Sequence, residues 1–246
     1  MALSFGVSKY LRFESPGDVA GNPLSVAFWY YPDVTTPSVD NWLLRGGYSS
    51  GVYHFLLDTV LNQSGQLRFR IGYNTASLVH TTISDSYTSG RWNHVLVTWD
   101  GTQNASGVTI YVDGTSVSSS YLFDGIGTQY DSLWYWDLSH NTVTVGLEGK
   151  LAEGGVWARV LGAGERASLA AGYSPLFFPK DLVFAPPLVR EAVDPISGRI
   201  GSAGVTPPTA FAHPPCLRPA GSLAVGRPGS GAGPRVPWHL FTGSAV

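Results

Sequence analysis

From Trp92 to Trp99 the chain alternates two sets of residues: Asn93, Val95, Val97 and Trp99 in one, Trp92, His94, Leu96 and Thr98 in the other. In an extended strand each set shares a face, because successive side chains point to opposite sides. Both faces being largely apolar predicts a strand held between two layers rather than one facing water. Asp100-Gly101 ends the run, and Val108 to Val112 resumes it with β-branched and aromatic residues. Asp113-Gly114 then precedes another short strand, a pair suited to the positive φ of a tight hairpin turn. Further strands are predicted over Lys9–Glu14, Leu24–Tyr31, Asn41–Arg45, Val52–Asp58, Gln66–Tyr73, Ser77–Ile83, Thr142–Leu147 and Lys150–Val156, separated by Gly, Asn, Pro and Ser turns. Tyr121–His140 reads as a long connection. Short strands at such regular spacing predict an all-β, antiparallel sandwich of jelly-roll type. One short helix is expected over Ala163–Ala171, with Gly172 as its left-handed C-terminal cap.

Beyond residue 175 the pattern changes. Twelve of the 17 prolines fall there, and no acidic residue follows Asp194. Proline cannot donate to a sheet ladder, so this stretch is not expected to supply central strands. The division is therefore a sandwich domain over residues 1–175 and an extended arm over 176–246. The arm is expected to gain order by lying on another surface, such as a neighbouring subunit in a homo-oligomer. Its candidate contact residues are Leu188, Arg190, Arg199, His213, Arg218, Arg235 and Trp238. Only 13% of the chain is charged, about half the usual ~25%, which also suits a surface covered by partners.

Net charge is −2, so nothing global draws the chain to nucleic acid or an anionic membrane. The arm's arginines, interleaved with prolines, are too dilute for a basic patch. Cys216 is the sole cysteine, which excludes an intrachain disulfide. No apolar run approaches the ~18 residues of a spanning helix. The opening MALSFGVSKYLRF lacks the basic start and apolar stretch of a secretory signal, so folding in a cytoplasm is expected.

Gly47-Tyr48-Ser49-Ser50-Gly51 satisfies G-x-S-x-G, but a nucleophile elbow needs a strand before the serine and a helix after it. Here β runs flank it on both sides. Glu148 and Glu153 have an odd offset, so on one continuous strand they would face opposite ways, unlike the paired carboxylates of a glycosidase. His94, with no second histidine at metal spacing, reads as a hydrogen-bonded core histidine. No cofactor is expected; the one metal considered is Ca²⁺, for which Asp124, Asp131 and Asp137 could supply oxygens. Tyr130, Trp134, Tyr135 and Trp136, with Leu133 among them, form the candidate ligand-binding group. Exposed rings stack on sugars or anchor interfaces; the alternative is a lid folded over the end of the sandwich.

Four motifs in order resemble the laminin-G-like, concanavalin-A-type jelly-roll superfamily, in its microbial and viral branch. They are Phe28, Trp29 and Pro32 of NPLSVAFWYYPD; Trp92, His94, Val95, Thr98, Asp100 and Gly101 of RWNHVLVTWDG; Tyr111 to Gly114 of IYVDG; and Gly149, Ala152, Glu153, Trp157, Arg159, Leu161, Glu165 and Leu169 of the closing segment. A later set, Asp181, Pro187, Leu188, Arg190, His213 and Pro214, resembles an extension carried by such domains in phage and prophage proteins. The resemblance implies a non-enzymatic component of a bacteriophage virion: a head-decoration, fibre or tail-surface subunit, made in the host cytoplasm and touching capsid or tail proteins. The alternative it implies is a lectin-like module that recognises a surface glycan.

Overall fold

The computed structural model describes residues 2–5, 9–14, 23–38, 40–49, 52–60, 62–130, 135–139, 145–188, 193–196, 198–203 and 208–217. The strands are β1 (Ala2–Ser4), β2 (Leu11–Glu14), β3 (Leu24–Pro32), β4 (Asp40–Ser49), β5 (Val52–Thr59), β6 (Leu67–Ile71), β7 (Leu78–Thr82) and β8 (Asn93–Trp99). There follow β9 (Val108–Val112), β10 (Thr115–Ser116), β11 (Ser119–Phe123), β12 (Tyr135–Leu138), β13 (Val145–Gly146) and β14 (Gly149–Trp157). Helix α1 (Ala163–Ala170) precedes β15 (Leu182–Phe184), β16 (Val193–Asp194), β17 (Arg199–Ile200), β18 (Ser202–Ala203) and β19 (Thr209–Phe211). An eight-stranded sheet has the order β10-β9-β8-β3-β14-β1-β19, with β15 also on β14. A nine-stranded sheet runs β11-β7-β6-β5-β4-β12-β2-β18, with β13 added parallel to β4. The two stack as the expected antiparallel sandwich.

The two-faced run at β8 explains the stacking. Val95, Val97 and Trp99 enter the core between the sheets, where they join Val26, Phe28 and Tyr30 of β3 and Phe55, Phe69, Ile71 and Trp136 of the opposite sheet. Leu96 goes the other way, into a second cluster with Ala27, Trp157, Leu161, Leu169 and Leu182. Helix α1 thus lies over the outer side of the eight-stranded sheet. Each large apolar side chain so buried contributes about 1.5–3 kcal/mol. The Asp113-Gly114 turn has φ of 50° and 80°, the left-handed pair a two-residue β9–β10 hairpin needs. Arg159 grips Glu165 with two bonds of 2.7 and 2.6 Å, and Glu165 accepts the Gly162 N–H at 2.8 Å, which fixes the start of α1. Gly172 follows the helix at φ +97°.

Two expectations are corrected here. Tyr121–His140 is not simply a connection, since it contains part of β11 and all of β12, and β12 is inserted between β4 and β2. The segment after residue 175 does not only trail away: β15, β18 and β19 pair with β14, β2 and β1 of the chain's own sheets. Leu188, expected on a partner surface, is buried in the core between the sheets. Proline dictates how this segment binds. β14 bulges at Glu153, which takes φ +49°, and the freed N–H groups of Glu153 and Gly154 donate to the carbonyls of Pro187 and Pro186 at 3.2 and 3.0 Å. Prolines that cannot donate serve here as acceptors. Arg199 lies in β17; Arg190, Arg218, Arg235 and Trp238 lie outside the described residues.

Candidate functional site

On the nine-stranded sheet, Leu11, Phe13, Trp136, Leu138, Phe55, Leu57, Phe69 and Ile71 point into the core, so the residues between them form the outer face. Strand pairing arranges that face in rows. One row runs Arg12, Asp137, Arg45, Leu56, Arg70, Val79 and Phe123 across seven strands. The next runs Trp42, Asp58, Arg68, Thr81 and Tyr121. A third holds Glu14, Tyr135, Gly47 and Tyr53. Each of the three holds both charged and aromatic residues.

Their contacts follow from that register. Arg12 closes a bidentate pair on Asp137, at 2.7 and 2.8 Å, and lays its guanidinium 3.8 Å over the Tyr135 ring. The bond to Asp137 raises the Arg12 pKa. A Cβ at Gly47 would collide with the Tyr135 ring, so only glycine leaves that ring room to lie across β4. Arg45 stands 5.2 Å from the Trp42 ring and 5.5 Å from that of Tyr135. Asp58, fully buried, receives both Arg68 and Arg70. Arg70 also lies 5.5 Å over Tyr53. At the edge the face opens, with Tyr121 54% and Phe123 41% exposed on one side of β11. Leu122, Ile126 and Ile83 are exposed as well.

This placement rearranges the residues expected to bind. Tyr135 and Trp136 are buried, not exposed: Trp136 stacks on Phe184 in the core, with centroids 5.0 Å apart, and Tyr135 lies under Arg12. Tyr130 is half-buried against Gly72, and its carbonyl lies 2.6 Å from His54 Nδ1. Trp134 and Leu133 lie outside the described residues. Tyr121 and Phe123 hold the exposed position instead. Their one signal was the i, i+2 alternation in Ser119–Phe123.

The two described members of the calcium set are engaged by other groups. Both Asp137 oxygens are taken by Arg12, Asp124 accepts the Ala105 N–H at 2.7 Å, and Asp131 lies outside the described residues. Among the described residues no three His, Cys, Asp or Glu side chains gather as a metal site would require. Ser49 ends β4 and pairs with Val52 of β5, so a strand, not the helix of a nucleophile elbow, follows it. Glu148 is bonded to Ser38, and Glu153 Oε1 lies 3.0 Å from His213 Nε2, which places His213 inside the chain's own fold. Burial lowers the His213 pKa. His94 is buried beside Trp29, its Nδ1 without a hydrogen-bond partner, and burial lowers its pKa to about 4. It is a core histidine, though not the hydrogen-bonded one expected. Among the described residues no helix is long and apolar enough to cross a membrane.

A sandwich of this topology with an aromatic, charged outer face defines a lectin-like jelly roll. The family model for the concanavalin A-like lectin/glucanases superfamily matches residues 5–165, and the chain belongs to that superfamily. No curated protein matches the sequence. Among solved structures, a provisionally assigned carbohydrate-binding protein from Bacteroides ovatus aligns with a TM-score of 0.57 at 17% identity. That alignment covers 85% of this chain and 61% of that one. A heptameric SAP-like pentraxin from Limulus polyphemus aligns at 0.49 and 16% identity, over 69% of this chain and 81% of that one. The CBM40 of a Ruminococcus gnavus sialidase, bound to sialyllactose, aligns at 0.48 and 12% identity, over 69% and 95%. At such identities the likeness is one of fold.

Proposed function

We propose that this chain is a carbohydrate-binding module that holds a glycan on the outer face and open edge of the nine-stranded sheet, without catalysis. The observation carrying this reading is the pair Tyr121 and Phe123, two exposed rings on one side of β11 with an arginine in the row of each. Contiguous exposed apolar surface rimmed by polar groups marks an interaction site. Aromatic faces suit the C–H faces of sugar rings, and a rigid sheet edge presents them with little entropy to lose on binding. The superfamily and the fold shared with the Bacteroides ovatus protein support the same reading. A glycan array followed by calorimetry tests it. The wild type should bind at least one glycan class, and Tyr121→Ala/Phe123→Ala should weaken binding about tenfold or more with unchanged thermal unfolding. No binding on the array, or undiminished binding by the variant, overturns it.

A narrower placement, as a head-decoration, fibre or tail-surface subunit of a phage particle, rests on the resemblance of Asp181, Pro187, Leu188, Arg190, His213 and Pro214 to a phage-protein extension. Such a subunit would use weak glycan contacts for adhesion. Its test is whether the protein co-purifies with particles, and its absence from them ends that placement.

A further inference from the structure

We infer that the glycan is an acidic one, and that Arg70, with Arg68 beside it, takes the carboxylate or sulfate while Tyr121 and Phe123 take the ring faces. This rests on the carbohydrate-binding reading and specifies its ligand. The pairing register supplies the geometry. Phe123 is opposite Val79, which is opposite Arg70; Tyr121 is opposite Thr81, which is opposite Arg68. Each ring is thus two strands from an arginine, about 10 Å between backbones at the usual strand spacing, a gap that long side chains from both sides narrow to the reach of a short oligosaccharide.

The two arginines are not equally committed. Arg68 meets Asp58 through both Nε and Nη2, the two-pronged geometry that satisfies a carboxylate. Arg70 adds one bond, from Nη2 to the Asp58 Oδ2 already engaged, at 2.7 Å. Its Nε is buried with no hydrogen-bond partner. A second guanidinium, held by one donor with another facing no acceptor, exceeds what Asp58 needs. Stacking over Tyr53 holds that fork in place, and the side chain stays 21% exposed. An oxyanion arriving beside Phe123 would meet a pre-positioned cation with donors to spare.

The full chain is tested by calorimetry against an oligogalacturonide, its neutral galactose counterpart and a sulfated galactan oligosaccharide, at low and high salt. The acidic ligands should bind about tenfold tighter than the neutral one, with the difference shrinking as salt rises. Arg70→Gln should abolish the preference while the fold, checked by circular dichroism at the assay temperature, and neutral-sugar affinity are retained; Tyr121→Ala should weaken all three ligands alike. Equal affinity of the wild type for acidic and neutral ligands overturns the inference and leaves the binding reading standing. A preference that survives in both Arg70→Gln and Arg70→Lys overturns the residue assignment. Binding of none of the three by a wild type that binds another, neutral glycan on the array also overturns it, whereas binding of no glycan at all removes the carbohydrate reading itself.

Discussion

Leu96 and Arg45 each stand on the outward side of an inner strand of one sheet, both almost wholly buried, and their surroundings are opposites. Leu96 is covered by apolar neighbours, among them Trp157, Leu161 and Leu169, with α1 over it. Arg45 is flanked by the rings of Trp42 and Tyr135, in rows that also hold Asp137, Arg70 and Asp58. An apolar outer face must have a lid, because nothing else removes it from water. A face of guanidiniums, carboxylates and rings can satisfy itself sideways, ring under cation and cation on carboxylate, and keep an edge open to solvent. The first arrangement makes stability and the second leaves surface for recognition.

The largest effect that would break this contrast is at Trp157, fully buried with its Nε1 donating to the Phe178 carbonyl at 2.8 Å. Trp157→Ala should cost about 3–5 kcal/mol in urea unfolding, while Tyr121→Ala on the other face should stay within about 0.5 kcal/mol. Equal losses would mean that the open edge is structural. A somewhat smaller effect follows from His94. Burial holds it neutral with a pKa of about 4, whereas the unfolded chain titrates it near ~6.5. Between those values the unfolded state binds a proton that the folded state refuses. Stability is therefore complete above the unfolded value and falls by about 3 kcal/mol as pH drops to the folded one. Unfolding curves from pH 7 to 4 should show that loss in the wild type and a flatter profile in His94→Phe. The smallest effect concerns the lid. Arg159 lowers the Glu165 pKa to about 2, so its contribution is present above the ordinary carboxylate range and disappears as pH falls toward that value. The pair is partly exposed, which limits Arg159→Gln to under about 1 kcal/mol, read as a small drop in Tm at neutral pH that vanishes in acid.

The same contrast explains what could be read in the sequence. β8 and β3 were legible because both of their faces are apolar, and so was α1, whose cap and packed face are local. β12 was not, because its alternation is disguised. Tyr135 is buried on the outer face by Arg12 and by the space at Gly47, neither of which is near it in sequence. Asp137 resembled a loosely held calcium ligand for the same reason, its partner standing 125 residues away. β15, β18 and β19 are two or three residues long and exist only because finished sheet edges receive them. Exposure at β11 followed from its being the last strand of its sheet, a fact of topology that alternation in Ser119–Phe123 could not convey.

β1 lies between β14 and β19, with Leu3 opposite both Leu151 and Ala210. Leu3 must therefore wait for Leu151 before its first neighbour arrives, and β19 comes later still. Closing loops that long slows folding, and until they close Ala2, Leu3 and Phe5 present apolar side chains that the finished protein hides. Newborn chains should depend on chaperones at this seam.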